Sequence, residues 1–286
     1  QKNKGITCAV ALSPYIIKPE KVGRGRGRLA VIGIGPGSND WRAPEATNEI
    51  VRATEVVGYK LYLDLLGSLI SGKNRYDYSL GEERDRVAEA LRLAAEGKEV
   101  ALISSGDPGI YAMACLVFEL IEYGPLGNVK PEWQRIDVHV VPGISALQAA
   151  AAKIGAPLGH DFCTISLSDL LTPWEVIERR LIAASTGDFV IALYNPVSAN
   201  RREQIGLARD ILLNYRAAET PVVLARNLGR EEERIDVITL NELNSEKVDM
   251  LTVVLIGSTQ TQLMKLNNDK TYVYTPRGYG NKKERF

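Results

Sequence analysis

The reading of this chain turns on Leu29-Ala30-Val31-Ile32 and the stretch that follows it, Gly33-Ile34-Gly35-Pro36-Gly37-Ser38. A short aliphatic run reads as a buried strand. The glycines at its end let the backbone turn sharply and approach another group closely. A dinucleotide fingerprint would need a glycine where Ser38 stands, and a helix that opens at once on the pyrophosphate. Here Pro36 removes an N–H that a phosphate would want, and helical periodicity starts only near Pro44. The stretch is a strand end built for close approach, either a ligand loop or a tight structural turn, and not a diphosphate site.

At 286 residues the chain makes one large domain or two smaller ones. Hydrophobic residues are 45% and charged residues 24%, enough for a real core under an ordinary polar surface. Lys and Arg number 35, as do Asp and Glu, so the net charge is zero. That argues against a nucleic-acid partner, whose phosphates call for a basic excess. No apolar run reaches membrane-spanning length and no signal peptide is visible, so no membrane partner is expected. Cys8, Cys115 and Cys163 are odd in number and far apart, which fits a reduced, cytoplasmic protein. With only His139 and His160 present, a histidine-rich metal site is excluded, and no metal is expected.

Outward from the opening stretch, the pattern alternates. Helices are expected over residues 44–54, 61–70 and 82–95, and on the apolar stripe Ile110, Met113, Ala114, Val117, Phe118, Ile121. Strands are expected over 55–59, 100–103 and 136–141, with an extended segment at 76–80. Such alternation implies an α/β fold with a largely parallel sheet. Pro142-Gly143 breaks the pattern and marks a boundary between an N-terminal α/β domain, 28–142, and a C-terminal α/β domain, 143–262. In the second, Ser145 and Gln148 form a capping box for an alanine-rich helix. Thr172-Pro173-Trp174-Glu175 reads as another, and Asn200 as the cap of a later helix. Strands are expected at 162–167, 188–194 and 221–225, with 234–238 and 250–256 as a final pair. The polar tail, 263–286, is expected to be loosely held. Ahead of the first domain, 1–27 holds one strand, 6–12, and the Gly23-Arg24-Gly25-Arg26-Gly27-Arg28 linker.

Ligands of α/β sheets bind beyond the carboxyl ends of the strands. Those ends are Gly35-Pro36-Gly37, Gly106-Asp107-Pro108, Pro142-Gly143-Ile144-Ser145-Ala146, Tyr194-Asn195-Pro196, Arg226-Asn227 and Gly257-Ser258. Five of the six contain glycine or proline, so they are shaped loops, and they carry few titratable groups. No Ser-His-Asp or Cys-His set can be assembled, and the catalytic residue stays unassigned. This points to a reactive cofactor that the protein positions. Plain readings stand beside this one. Asp107 before Pro108 is placed to cap a helix, Ser145 caps one whether or not it meets a ligand, and Tyr194-Asn195-Pro196 can be a turn.

Gly33-Ile34-Gly35-Pro36-Gly37, Ser105-Gly106-Asp107-Pro108-Gly109-Ile110-Tyr111 and Val141-Pro142-Gly143-Ile144-Ser145-Ala146, in this order, resemble the tetrapyrrole (precorrin) methyltransferases over residues 28–260. Val57-Gly58-Tyr59 and Leu193-Tyr194-Asn195-Pro196 are similar to the branch that methylates carbon 17 of precorrin-3B in cobalamin synthesis. The resemblance implies two α/β domains, usually in a homodimer, with S-adenosylmethionine in a cleft between them. It places Pro36, Gly106, Asp107, Ile110, Ser145, Ala146, Tyr194 and Asn227 on that cofactor. It implies a carboxylate-rich tetrapyrrole substrate, precorrin-3B or cobalt-precorrin-3, for which Tyr59, Lys60 and Arg201 are candidate contacts. Ring contraction would accompany methylation. The proline-interrupted loop suits a cofactor without phosphate, and Asp107 suits its sulfonium and ammonium. The strand at 6–12 looks like the end of a fused upstream domain, another cobalamin-pathway enzyme.

Other readings separate on simple features. A different precorrin methyltransferase step would keep every motif. A ribosomal RNA methyltransferase of the same fold would want a basic face. A nicotinamide oxidoreductase would need the third glycine and a ribose-binding acid. A non-catalytic tetrapyrrole-binding module would keep the fold alone.

Overall fold

The computed structural model describes residues 27–198, 200–266 and 270–279. The strand expected at 6–12 and most of the Gly/Arg linker lie outside them. The chain divides into two compact units. One runs to Gly33 and resumes over Ala43–Gly143; the other holds Ile34–Arg42 and the chain from Ile144 onward.

The first unit alternates β1 (Arg28–Gly33), α1 (Pro44–Arg52), β2 (Glu55–Tyr59), α2 (Lys60–Asp64), β3 (Asn74–Tyr78), α3 (Glu83–Ala95), β4 (Glu99–Ser104), α4 (Met113–Tyr123) and β5 (Asp137–Val141). The five strands form one sheet in the order β3-β2-β4-β1-β5, and every pairing is parallel. Leu29, Val31 and Ile32 are fully buried, as an interior strand covered on both faces requires. The polar β3, Asn-Arg-Tyr-Asp-Tyr, takes an edge. Leu29, Val31, Val57, Val100 and Leu102 share the face covered by α3 and α4, through Val87, Leu91 and Val117. Pro44 opens α1 at a position whose N–H needs no partner.

Two helices differ from expectation. The one expected over 61–70 is cut at Asp64, and a 3-10 turn takes Gly67–Ile70. The stripe expected to begin at Ile110 becomes helical only at Met113, because Tyr111 sits at φ +51° and Ala112 is extended.

The second unit contains α5 (Ala146–Ile154), β6 (Gly155–Ala156), β7 (Phe162–Ser166), α6 (Trp174–Thr186), β8 (Val190–Tyr194), α7 (Gln204–Leu213), β9 (Pro221–Arg226), β10 (Arg234–Thr239), β11 (Thr252–Ile256), β12 (Gln262–Lys265) and β13 (Thr271–Tyr274). Its main sheet runs β10-β9-β11-β8-β7, with only β7 and β8 parallel. Side chains alternate strictly across it. Ile191, Leu193, Val222, Leu224, Val254 and Ile256 face α6 and α7. Ala192, Val223, Ala225, Val253 and Leu255 face α5 with its run of alanines. Small residues on both partners let α5 lie close to that face.

Four expectations fail here. The strands at 234–238 and 250–256 are not a pair: β9 lies between them. Thr172 makes no capping box, since Pro173 is the cap of α6 and no side chain bonds there. Asn200 caps nothing; α7 begins at Gln204, after a tight turn closed by Ser198 and Arg201. Within the tail, β13 is the middle strand of a second sheet, β12-β13-β6, and its Val273 is buried. Among the described residues no helix is long and apolar enough to cross a membrane.

Candidate functional site

In the first unit, β1 lies between β4 and β5, so the loops that leave β4 and β5 meet at its end. There is no room for side chains. A Cβ on Gly33 would fall 2.5 Å from the Gly106 carbonyl oxygen and 2.7 Å from Pro108, and one on Gly143 2.1 Å from the same oxygen. Gly33 of the first motif and Gly143 of the third are thus needed for backbone approach to Gly106 of the second.

Asp107 locks this junction. Its Oδ1 accepts the Gly109 N–H at 2.8 Å and its Oδ2 the Gly143 N–H at 3.0 Å. The helix-cap reading of Asp107 is replaced by a turn bond on one oxygen and a cross-loop bond on the other. Each oxygen keeps a second lone pair for a cationic ligand. Gly106 is at φ +66°, and the Ile110 N–H reaches back to the Asp107 carbonyl at 3.4 Å.

Pro36 belongs to the second unit, with the rest of residues 34–42. Its carbonyl accepts from Arg230 Nε at 2.9 Å, and a Cβ on Gly37 would lie 2.5 Å from Arg230 Cγ. Trp41, from the same excursion, packs against the core on the α5 side of the sheet, as Ala146 and Tyr194 do. The opening motif is therefore shared: Gly33 is fitted to the first unit and Gly37 to the second. Arg230 was not legible as part of it.

The start of α5 gathers three more candidates. Ser145, almost fully buried, completes its expected capping box: Oγ accepts the Gln148 N–H at 3.3 Å, and Gln148 Oε1 accepts the Ser145 N–H at 3.0 Å. The Tyr194 hydroxyl accepts the Leu147 N–H at 3.1 Å. Ala146 lies between these bonds as the first residue of the helix. Asn195 and Asn227 stand at φ +51° and +53°, in the left-handed region that asparagine tolerates best after glycine. Asn195 Nδ2 donates to Ser166 Oγ at 3.0 Å, and the Asn227 backbone N–H to the Leu251 carbonyl at 3.2 Å.

The three substrate candidates sit in different surroundings. Tyr59 ends β2 and meets Tyr62 edge to face, ring centres 5.1 Å apart. Lys60 is exposed and pairs with Asp64 at 3.1 Å, which Arg75 also holds at 2.6 Å. Arg201 is 9% exposed, with Nη1 on the Leu167 carbonyl at 3.0 Å and Nε 3.6 Å from Asp169. Burial pushes its guanidinium below the usual value, and its contacts are those of a residue that straps the β7 and β8 loops together.

Arg86 escaped the sequence reading. It is 3% exposed on the inner stripe of α3, in register with Ala90 and Leu93. A charge on an apolar helical stripe was the available signal. Among the described residues no cluster of three or more His, Cys, Asp or Glu is placed to hold a metal ion.

Against this geometry stand three comparisons. The family model described as Tetrapyrrole (Corrin/Porphyrin) Methylases matches residues 28–244. The chain is 46% identical over 253 residues to a Sinorhizobium protein named precorrin-3B C(17)-methyltransferase, covering 88% of this chain and 97% of that protein. It is 40% identical over 257 residues to the cobalamin biosynthesis protein CobIJ of Mycobacterium tuberculosis, and there it spans 88% of its own length but only 48% of the relative. Among solved structures, the crystal structure of the methyltransferase CobJ matches with a TM-score of 0.80 at 40% identity, over 87% of this chain and 100% of that one.

Proposed function

Since the chain belongs to the tetrapyrrole methylase family, we propose that it methylates carbon 17 of a precorrin-3B-type macrocycle, with or without cobalt, from S-adenosylmethionine and with contraction of the ring, in cobalamin biosynthesis. The observation that carries this is the identity of 46% sustained over 97% of the Sinorhizobium enzyme.

S-adenosylmethionine supplies an electrophilic methyl group, so the reaction needs no protein nucleophile. What the chain must supply is position, a fixed polar surround and the exclusion of water. The donor set suits such a cofactor. Its loops offer backbone carbonyls and amides held in place by Asp107, Ser145 and Tyr194, plus the spare lone pairs of the Asp107 carboxylate for an ammonium or sulfonium. The residues proposed to meet the cofactor are Gly106, Asp107 and Ile110, and Pro36, Ser145, Ala146, Tyr194 and Asn227. Tyr59 and Lys60 are proposed to face the acidic macrocycle; the contacts of Arg201 make it a positioning residue for the β8 loop.

A cytoplasmic homodimer is part of the proposal. So is a fused cobalamin-pathway domain, supported by the relatives of about twice this length. Calorimetric titration tests the cofactor assignment. S-adenosylmethionine should bind saturably and NAD should not; binding of NAD alone would overturn the reading.

A further inference from the structure

Among the described residues three guanidinium groups are buried, those of Arg86, Arg201 and Arg216, and they are not alike. Arg216 places both Nη atoms on backbone carbonyls, those of Gly257 and Phe189, and leaves its Nε without a partner. Arg201 sets Nη1 on two carbonyls, those of Leu167 and Pro196, with Nε toward Asp169. Arg86 has one carbonyl. Nη2 donates to the Ser79 carbonyl at 2.9 Å, Nη1 has only the Met113 sulfur at 3.8 Å, and Nε has no partner at all. The nearest carboxylate, Glu83, is 3.9 Å away and partly exposed. A charge taken out of water with so few acceptors is costly.

A second orphan lies on the same face. Ser104, at the end of β4, is 3% exposed and its Oγ has no partner. The register explains the coincidence. Gly33 pairs with Ser104, Ile103 with Gly58, and Tyr59 with Tyr78, so Gly33, Ser104, Tyr59 and Tyr78 form one row across the carboxyl end of the sheet. They extend the alternation of Val31, Leu102, Val57 and Tyr76, all on the α3/α4 face. Because α3 returns from β3 to β4, its first turn, with Arg86, lies at that same end. Tyr59 closes β2 at that end and meets Tyr62 edge to face, ring centres 5.1 Å apart. Met113, unbranched and only half-buried at the first turn of α4, covers the guanidinium and can swing aside.

We infer that Arg86, with Ser104 and Tyr59 on the same face, forms a carboxylate subsite that receives one acidic side chain of the macrocycle once Met113 moves off. A carboxylate is the ligand that answers the unused donors, because a guanidinium fork and a hydroxyl match its two oxygens. The inference rests on the tetrapyrrole reading above and names which of this chain's groups would hold the substrate's charge.

The test compares the full chain with Arg86→Met and Ser104→Ala. Absorbance titration reads precorrin-3B and cobalt-precorrin-3, and calorimetry reads S-adenosylmethionine. Arg86→Met should bind the macrocycle roughly tenfold or more weakly, the size expected for a lost charged hydrogen bond. Its S-adenosylmethionine affinity should be unchanged. Its melting temperature should fall by less than about 5 °C, since the one carbonyl bond lost is offset by removing a buried charge whose nearest carboxylate is 3.9 Å away. Ser104→Ala should weaken macrocycle binding several-fold at unchanged stability. Unchanged macrocycle binding in both variants would overturn the subsite alone. A melting temperature lower by more than about 5 °C in Arg86→Met would show that the arginine holds the fold, and would overturn it too. Failure of the unmodified chain to bind either macrocycle would remove the functional reading and the subsite together.

Discussion

Asp107 Oδ2 accepts the backbone N–H of Gly143 at 3.0 Å across 36 residues of sequence. The bond joins the loop that leaves β4 to the loop that leaves β5, at the point where β1 ends between them. A carboxylate that family resemblance assigns to the cofactor is thus also a fastener of the loops around it. Position and binding are coupled through one side chain.

Asp107→Ala should therefore lose more than a contact. Two backbone N–H groups lose their acceptor, which costs about 1–3 kcal/mol when such groups are left unpaired. S-adenosylmethionine affinity should fall together with the denaturation midpoint. Asp107→Asn keeps one acceptor oxygen and should recover part of the stability. Chemical denaturation of both variants beside calorimetric titration separates the two effects.

Gly143→Ala attacks the same junction from the other side. The new Cβ would sit 2.1 Å from the Gly106 oxygen, a backbone atom that cannot rotate away. The loops must part, at a cost of about 1–3 kcal/mol or more. Hydrogen exchange should show Gly109 and Gly143 losing protection first, ahead of the sheet interior.

Tyr194→Phe removes the acceptor of the Leu147 N–H at the first turn of α5. A loss of about 0.5–1.5 kcal/mol is expected for one such bond. Ser145→Ala, which breaks the capping box at the same helix, should cost about 0.5–2 kcal/mol. The double variant should lose less or more than the sum, because both groups serve one helix start. Thermal melts of the two singles and the double check this.

Acid stability should depend on Glu55. Its carboxylate is buried, which works against ionisation, but hydrogen bonds from Asn74 at 3.1 Å and Tyr76 at 2.8 Å, and Lys98 at 3.3 Å, outweigh the burial and hold its pKa below the ordinary range. The folded value is then lower than the unfolded value of about 4.3. The stabilisation is present in full above the unfolded pKa and is lost as pH falls through the folded one. Glu55→Gln should be less stable at neutral pH and should show a shallower loss of melting temperature on acidification. An identical acid limb in the two proteins would contradict this.

The alternation of strands and helices was legible because burial imposes period on sequence. β1 reads as Leu-Ala-Val-Ile because it is covered on both faces, and β8, β9 and β11 read the same way. Ser145 and Gln148 were legible because a capping box is local. What could not be read was set at long range. Nothing near Pro36 announces Arg230, 194 residues away, or the assignment of Ile34–Arg42 to the second unit. The insertion of β9 between β10 and β11 is likewise a matter of topology, not of any one strand's residues. Asn200 and Thr172 carried the right chemistry for caps, but the chain turned elsewhere. Asp107 was legible as a residue of interest and illegible as a fastener, since its partner Gly143 offers only a backbone N–H.

The most direct test of the account is methyl transfer itself. The purified chain would be incubated with S-adenosylmethionine carrying a ¹³C-labelled methyl group and with precorrin-3B or its cobalt form, and the product read by mass and ¹³C spectroscopy. The account predicts one added label, on carbon 17 of a contracted ring. A label on any other carbon would move the chain to a different methylation step, and macrocycle recovered unlabelled with both ligands bound would contradict the assignment as a methyltransferase.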